Sequence, residues 1–426
     1  MEQPSVKATN KGNDNSSFVL GLIIGILVTL LLTALAILGT LLFGKFNSLT
    51  QSAEEEDTRL EELLEENDLV DEQLLRKLSS IEGIIDKYYY KDDLDEAVLS
   101  EGIYRGVLDA VGDPYTCYYS EKELKDMLED SEGVYYGIGA YVTLDQTGMY
   151  PMITAPIAGS PAEEADLRSG DIIYEINGES TYGKSLDAAV AMMRGKEGTE
   201  VEVTIARTTE KEYIHVTLVR RRVEAPTVNS EMLEENIGYI QITQFDEITV
   251  EQFADALATV RASGMEGLII DLRANPGGSL TSVIGISRML LPEGLIMYTE
   301  DKNGNRQEYE CDGRHEFDKP LVVLVDGNSA SASEVLAGAI KDYELGTLVG
   351  TTTFGKGIVQ TVLPLSDGSG IKITTSSYYS PKGTNIHDIG IEPDIVCEFD
   401  SEAYYGEEEF DNQLERAKEV LKDMME

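Results

Sequence analysis

The chain has 426 residues, with 78 acidic against 34 basic and a formal net charge of −44. That length allows two to three domains, and 42% hydrophobic residues is the composition of a folded protein. The charge excludes nucleic acid as a partner, because phosphates would be repelled, and disfavours docking on an anionic membrane surface. Cys117, Cys311 and Cys397 are too few and too scattered for a disulfide framework or a zinc site. His215, His315 and His387 are equally dispersed, so no metal is expected.

Residues 1–17 read as a short cytoplasmic tail. Residues 18–43 hold no charge in 26 positions, longer than the ~20 apolar residues a spanning helix needs. A signal peptide has a shorter apolar region and then a small-residue cleavage site. The segment is therefore expected to be an uncleaved anchor in the lipid bilayer. Lys7 and Lys11 before it balance Lys45 and Arg59 after it, so the charge rule alone does not orient it. The simplest arrangement keeps the short tail in the cytoplasm and the rest outside, as a single-pass protein of the cell membrane.

Residues 44–77 form an acidic helical linker. Leu60, Leu63, Asn67, Val70, Leu74, Leu78 and Ile81 recur at spacings of three and four. That is near heptad spacing and allows a homodimer, or a single amphipathic helix. Residues 78–124 read as an N-terminal helical region, interrupted by Gly112-Asp-Pro-Tyr-Thr116.

From 125 to 220 the pattern changes to short strands and glycines. Tyr136-Gly-Ile-Gly-Ala-Tyr141 precedes Ser160-Pro-Ala-Glu-Glu-Ala-Asp-Leu-Arg-Ser-Gly-Asp-Ile-Ile-Tyr-Glu-Ile-Asn-Gly178. The second stretch predicts a short helix, a Gly170 cap, a strand over 172–176 and an Asn-Gly turn. A helix over 186–194 and strands over 201–207 and 213–219 follow. The block resembles a PDZ domain. The resemblance implies that peptide C-termini add as a strand at a sheet edge, with Gly137, Ile138 and Gly139 forming the loop that takes the carboxylate.

Residues 221–400 alternate strands and helices, which predicts an α/β (α+β) core, with the PDZ-like domain inserted or preceding. Strands are expected over 237–242, 267–273, 320–325 and 347–350, and helices over 250–263, 280–291 and 331–342. Residues 401–426 are an acidic tail, helix-prone after Phe410.

Gly350-Thr-Thr-Thr-Phe-Gly-Lys-Gly357 comes one residue short of a phosphate-binding loop, with Gly357 where that loop needs Ser or Thr. The lysine of such a loop opens a helix. Here strands over 358–365 and 371–378 around a glycine turn predict a hairpin, so Lys356 needs another purpose. Upstream, serines at 329, 331 and 333 lie where a buried strand turns into a helix. Ser331-Ala-Ser-Glu334 fits a capping box. The same position offers an oxygen beside free backbone N–H groups and the positive end of a helix, where an oxyanion is stabilised. A neutral lysine can serve such a serine as base. Burial lowers a lysine's pKa, and Phe354, Ile358 and Val359 are the expected apolar pocket.

The run Gly327-Asn-Ser-Ala-Ser-Ala-Ser-Glu334, then Thr353-Phe-Gly-Lys-Gly357 with Val359 and Gln360, then Gly390-Ile-Glu-Pro-Asp394, resembles the carboxyl-terminal processing proteases. Asp271-Leu-Arg-Ala-Asn-Pro-Gly-Gly278 and the 112–116 motif belong to the same set, from about 78 to 399. The resemblance implies a serine endopeptidase with Ser331 as nucleophile, Lys356 as base and Gln360 orienting the lysine. It implies backbone donors to the oxyanion from Ala332 and from Gly277 or Gly278. It also implies protein or peptide substrates with exposed apolar C-termini, and no cofactor. Positions 356 and 360 would face one side of a strand. His387 is expected to be structural. The rivals are a non-catalytic PDZ scaffold and a nucleotide-binding protein, the second opposed by the hairpin.

Overall fold

The computed structural model describes residues 69–91, 94–406 and 410–426. At the centre of the core stands a six-stranded sheet. Its order is Val228–Met232, Ile237–Ile242, Gly267–Asp271, Leu321–Val325, Thr347–Gly350 and Ile395–Val396. The first pair is antiparallel and the rest are parallel.

Successive side chains on a strand point to opposite faces. Leu268, Ile270, Val323 and Val325 therefore join Phe253, Leu257, Leu336 and Ile340 in one buried cluster. The last four come from the helices Thr249–Ala262 and Ala332–Asp342. Ile269, Val322, Leu324 and Val349 face the other way and join Ala417, Val420 and Leu421. Those three lie on the C-terminal helix Asn412–Met425. Strands covered on both faces read as continuous apolar runs. The acidic tail of the sequence is thus half of the core's cover.

Arg273 fastens that helix. Its guanidinium pairs with Asp271 at 2.7 Å and with Asp411 at 2.8 Å. Asp411 also caps the helix by accepting the N–H of Leu414. Tyr239 donates its hydroxyl to Asp271 at 2.7 Å.

A second, five-stranded sheet contains Cys117–Tyr119, Gly294–Asp301, Arg306–Cys311, Ile358–Pro364 and Gly370–Tyr379. The hairpin expected after Lys356 is present, with Gln360 opposite Thr374. The sequence reading missed the strand Arg306–Cys311. Its only buried position is Cys311, so it carries no apolar alternation.

Cys117–Tyr119 pairs with Lys372 to Gly370, so the PDZ-like domain is inserted into the core. Its stem is the antiparallel pair Val134–Gly137 and Arg221–Glu224. Beyond the stem, Ala140–Leu144, Pro151–Pro156, Ile172–Ile176, Glu200–Ala206 and Ile214–Val219 form a sheet in that order. Its core holds Ile153, Ile173, Ile176, Val203 and Ile205.

Residues 96–426 make one compact unit, and the described residues before them belong to another. In the latter, Glu72–Tyr88 is a helix capped by Asp71. The expected membrane segment 18–43 and the heptad positions Leu60, Leu63 and Asn67 lie outside the described residues. Among the described residues no helix is long and apolar enough to cross a membrane.

Replacing Arg273 with Ala leaves the buried Asp271 carboxylate without its cation. Chemical denaturation is expected to show a loss of about 3–5 kcal/mol, the usual cost of breaking a buried pair from one side. A loss below about 1 kcal/mol would remove the tether from the account of the core.

Candidate active site

Ser331 stands at the start of the helix Ala332–Asp342 with φ 55° and ψ −111°. A non-glycine residue at positive φ is costly and persists only where its surroundings enforce it. The surroundings are two neighbouring serines. Ser329 donates its hydroxyl to the Leu272 carbonyl at 2.8 Å, and Ser333 donates to the Asn275 carbonyl at 3.0 Å. Both are fully buried. Those bonds give Ser329 and Ser333 structural work and leave Ser331 as the serine that faces a cavity.

The cavity has a volume of about 840 Å³ and is lined by Ser331, Ala332, Lys356, Gln360, Gly277 and Gly278, among others. Part of its wall comes from Met127 and Leu128 on the helix Glu121–Glu132.

Asn275 shapes the glycine turn beside Ser331. Its side chain donates to the Ile242 carbonyl at 2.8 Å and accepts the Gly277 N–H at 2.9 Å. Its backbone carbonyl accepts the Ala330 N–H at 3.0 Å. A Cβ on Gly277 would lie 2.8 Å from Ser331 Cβ, so no side chain fits there. The Gly277 N–H is committed to Asn275. Among the described residues the N–H groups of Gly278 and Ala332 have no acceptor.

Glu334 joins the serine to the lysine. Its carboxylate is 1% exposed. It accepts the backbone N–H of Ser331 at 2.8 Å, of Gly355 at 2.7 Å and of Lys356 at 2.8 Å, and the Thr353 hydroxyl at 2.6 Å. The capping pattern in the sequence pointed to this residue but gave only the first of the four bonds. Nothing in the sequence pointed to the Asn275 contacts with Ile242 and Ala330, because both partners are far from it in the chain.

Lys356 is pushed below the usual lysine range by burial and by the nearby Lys372 ammonium; Asp113 and Glu334 pull the other way. The expected pocket is corrected in one respect: Phe354 is 57% exposed. The Lys356 ammonium lies instead over the Tyr115 ring, 4.3 Å from its centroid. The spacing argument for Gln360 is corrected too. Lys356 precedes the strand Ile358–Pro364, and a bulge falls between Val359 and Gln360. Gln360 donates its amide to the Thr374 hydroxyl at 3.1 Å. Among the described residues no hydrogen bond links Ser331, Lys356 and Gln360 side chains to one another. His387 does not line the cavity; its backbone packs behind Gly357.

In the inserted domain, Gly137 ends a stem strand, Ile138 is buried and Gly139 has φ 75°. A Cβ on Gly139 would lie 2.3 Å from Ser160 Cβ. Among the described residues the N–H groups of Ile138 and Gly139 have no acceptor. They precede Ala140–Leu144, which is the edge strand of its sheet. A free edge beside open N–H groups is the geometry that strand addition uses.

The profile of peptidase family S41 matches residues 236–397, and that of a PDZ domain matches residues 152–207. The chain is similar to the carboxy-terminal processing protease CtpA of Bacillus subtilis (strain 168). The two are 37% identical over 318 residues, which cover 74% of this chain and 67% of that protein. It is also similar to the carboxyl-terminal-processing protease of Synechocystis sp. (strain ATCC 27184 / PCC 6803 / Kazusa). There the identity is 38% over 296 residues, covering 68% of this chain and 69% of that protein. Among solved structures, the photosystem II D1 C-terminal processing protease aligns with a TM-score of 0.45 and 29% identity, over 77% of this chain and 94% of that one.

Replacing Glu334 with Gln turns an amide NH₂ toward backbone donors. The kcat/KM for peptide cleavage is expected to fall by about 10–150-fold, the equivalent of one charge-assisted bond at ~1.5–3 kcal/mol. An unchanged rate in a folded variant would contradict the role of the carboxylate.

Proposed function

The chain belongs to peptidase family S41, the carboxyl-terminal processing serine endopeptidases, and on that premise we propose that Ser331 is its nucleophile, Lys356 the base and Gln360 the residue that orients the lysine. The observation that carries this reading is the pairing across one cavity. A serine held at positive φ beside two open N–H groups shares that cavity with a lysine whose pKa is depressed by burial.

In the proposed reaction Ser331 Oγ attacks the scissile carbonyl and passes its proton to Lys356 Nζ. The oxyanion receives the N–H groups of Gly278 and Ala332, which cost no reorganisation because the turn is preformed. The lysine ammonium then gives its proton to the departing amine. Water, deprotonated by the same lysine, hydrolyses the acyl-enzyme. No metal or nucleotide enters any step.

The inserted domain binds the substrate's C-terminal tail along Ala140–Leu144, with Gly137, Ile138 and Gly139 around the carboxylate. An apolar tail residue suits the adjoining core. The charge-free run 18–43 anchors the enzyme in the cell membrane with its catalytic part outside the cytoplasm. The heptad-like leucines that follow support a homodimer.

The test uses the full chain in detergent and an unfolded protein with an apolar C-terminus. Cleavage is expected to continue in EDTA and to fall at least ~10³-fold in both Ser331→Ala and Lys356→Ala. Binding of the tail without cleavage by the wild type would favour the scaffold instead.

The pH dependence has a fixed sign. The base acts only when neutral, so kcat/KM rises as pH increases through the lysine's pKa in the folded enzyme. Since burial holds that pKa below the ordinary lysine value, half-maximal activity is expected at a lower pH than an ordinary solvated lysine would give. A rate that falls with rising pH between 6 and 9 would remove Lys356 as base.

A further inference from the structure

The motif Gly112-Asp-Pro-Tyr-Thr116 has no place in the reaction above, yet it is built tightly against the site. Asp113 accepts the Tyr115 N–H at 3.1 Å and the Thr116 hydroxyl at 2.6 Å. The Thr116 oxygen in turn accepts the Thr374 N–H at 3.2 Å. The next residues, Cys117–Tyr119, pair with the strand Gly370–Tyr379. The loop is therefore clamped to the strand that also faces Gln360.

Two side chains of the reaction are held by this clamp. The Lys356 ammonium lies over the Tyr115 ring at 4.3 Å. Gln360 donates to the hydroxyl of Thr374, the same residue whose N–H holds Thr116. An aromatic face attracts a cation and gives nothing comparable to a neutral amine. The ring therefore favours the form of the lysine that cannot accept a proton.

We propose that Tyr115 is a positioning residue for Lys356: its ring holds the ammonium away from Ser331, and the amine acts as base only after leaving the ring. This rests on the reading of Lys356 as the base. The step out is a side-chain rotation, accompanied by Gln360 exchanging Thr374 for the freed amine. The charged groups that act on Lys356 are Lys372, which opposes its charge, and Asp113 and Glu334, which favour it. None of the three is altered by a substitution at 115 that keeps the loop clamped.

Two variants separate the ring from its bulk. Tyr115→Phe keeps the aromatic face, and Tyr115→Leu replaces it with an apolar cover. The direct readout is NMR of the full chain in detergent, in a Ser331→Ala background, with lysines labelled by ¹³C-methylation. The Lys356 resonance is identified by its loss in Lys356→Arg. It is expected to be shifted upfield by the ring in the parent and in Tyr115→Phe, and to lose that shift in Tyr115→Leu.

The second readout is the pH profile of kcat/KM in enzymes that retain Ser331. Its midpoint is expected to fall by about half a pH unit in Tyr115→Leu and to stay in place in Tyr115→Phe. A purely structural role would lower the rate and leave the midpoint unmoved. A Lys356 resonance without a ring shift, or one unchanged in Tyr115→Leu, overturns the proposal. So does an unmoved midpoint. The resonance is read without catalysis, so an inactive wild type would reject the protease reading and leave this test standing.

Discussion

A single buried carboxylate sets the distance between the two halves of the site. Glu334 lies one turn into the helix that follows Ser331, and its two oxygens gather the backbone of Ser331, Gly355 and Lys356 and the hydroxyl of Thr353. Burying a carboxylate is favourable only when its oxygens are satisfied. The segment 353–356 therefore has to stay where those donors meet it. Serine and lysine are separated by 25 positions in the chain, and this carboxylate makes them neighbours on one rigid frame.

The same economy holds on the other side of the serine. Asn275 connects the Ile242 strand, the glycine turn and the segment ahead of Ser331. The turn's direction leaves Gly278 rather than Gly277 with an open donor. Donors already in place would meet a developing negative charge without a reorganisation cost. Behind this frame, Arg273 links the strand that feeds the turn to the cap of the C-terminal helix. Core stability and site geometry thus depend on adjacent residues of one short run.

The insertion joins binding to chemistry. The helix Glu121–Glu132 forms part of the cavity wall and ends at Gly133, from which the stem strand Val134–Gly137 leads into the PDZ domain. The Glu247 N–H bonds to the Ser131 carbonyl, and the Ala225 N–H to that of Gly133. The root of the domain and the rim of the cavity are therefore one piece of backbone.

Much of this was written locally in the sequence. The strands 237–242 and 347–350, the hairpin after Lys356 and the helix after Ser331 follow from alternation, glycine turns and a capping pattern, all of which act within a few residues. The family motifs likewise named Ser331 and Lys356. What the sequence could not determine depends on partners far away in the chain. The lysine's cover is Tyr115, not the neighbouring Phe354, because the strand Cys117–Tyr119 docks beside Gly370–Tyr379. The Gln360 amide meets the Thr374 hydroxyl, a contact that only the pairing of the two strands determines. The acidic tail became core because the central sheet is apolar on both faces and its second face needed a cover. Local chemistry chose the elements; long-range packing decided which side chains meet.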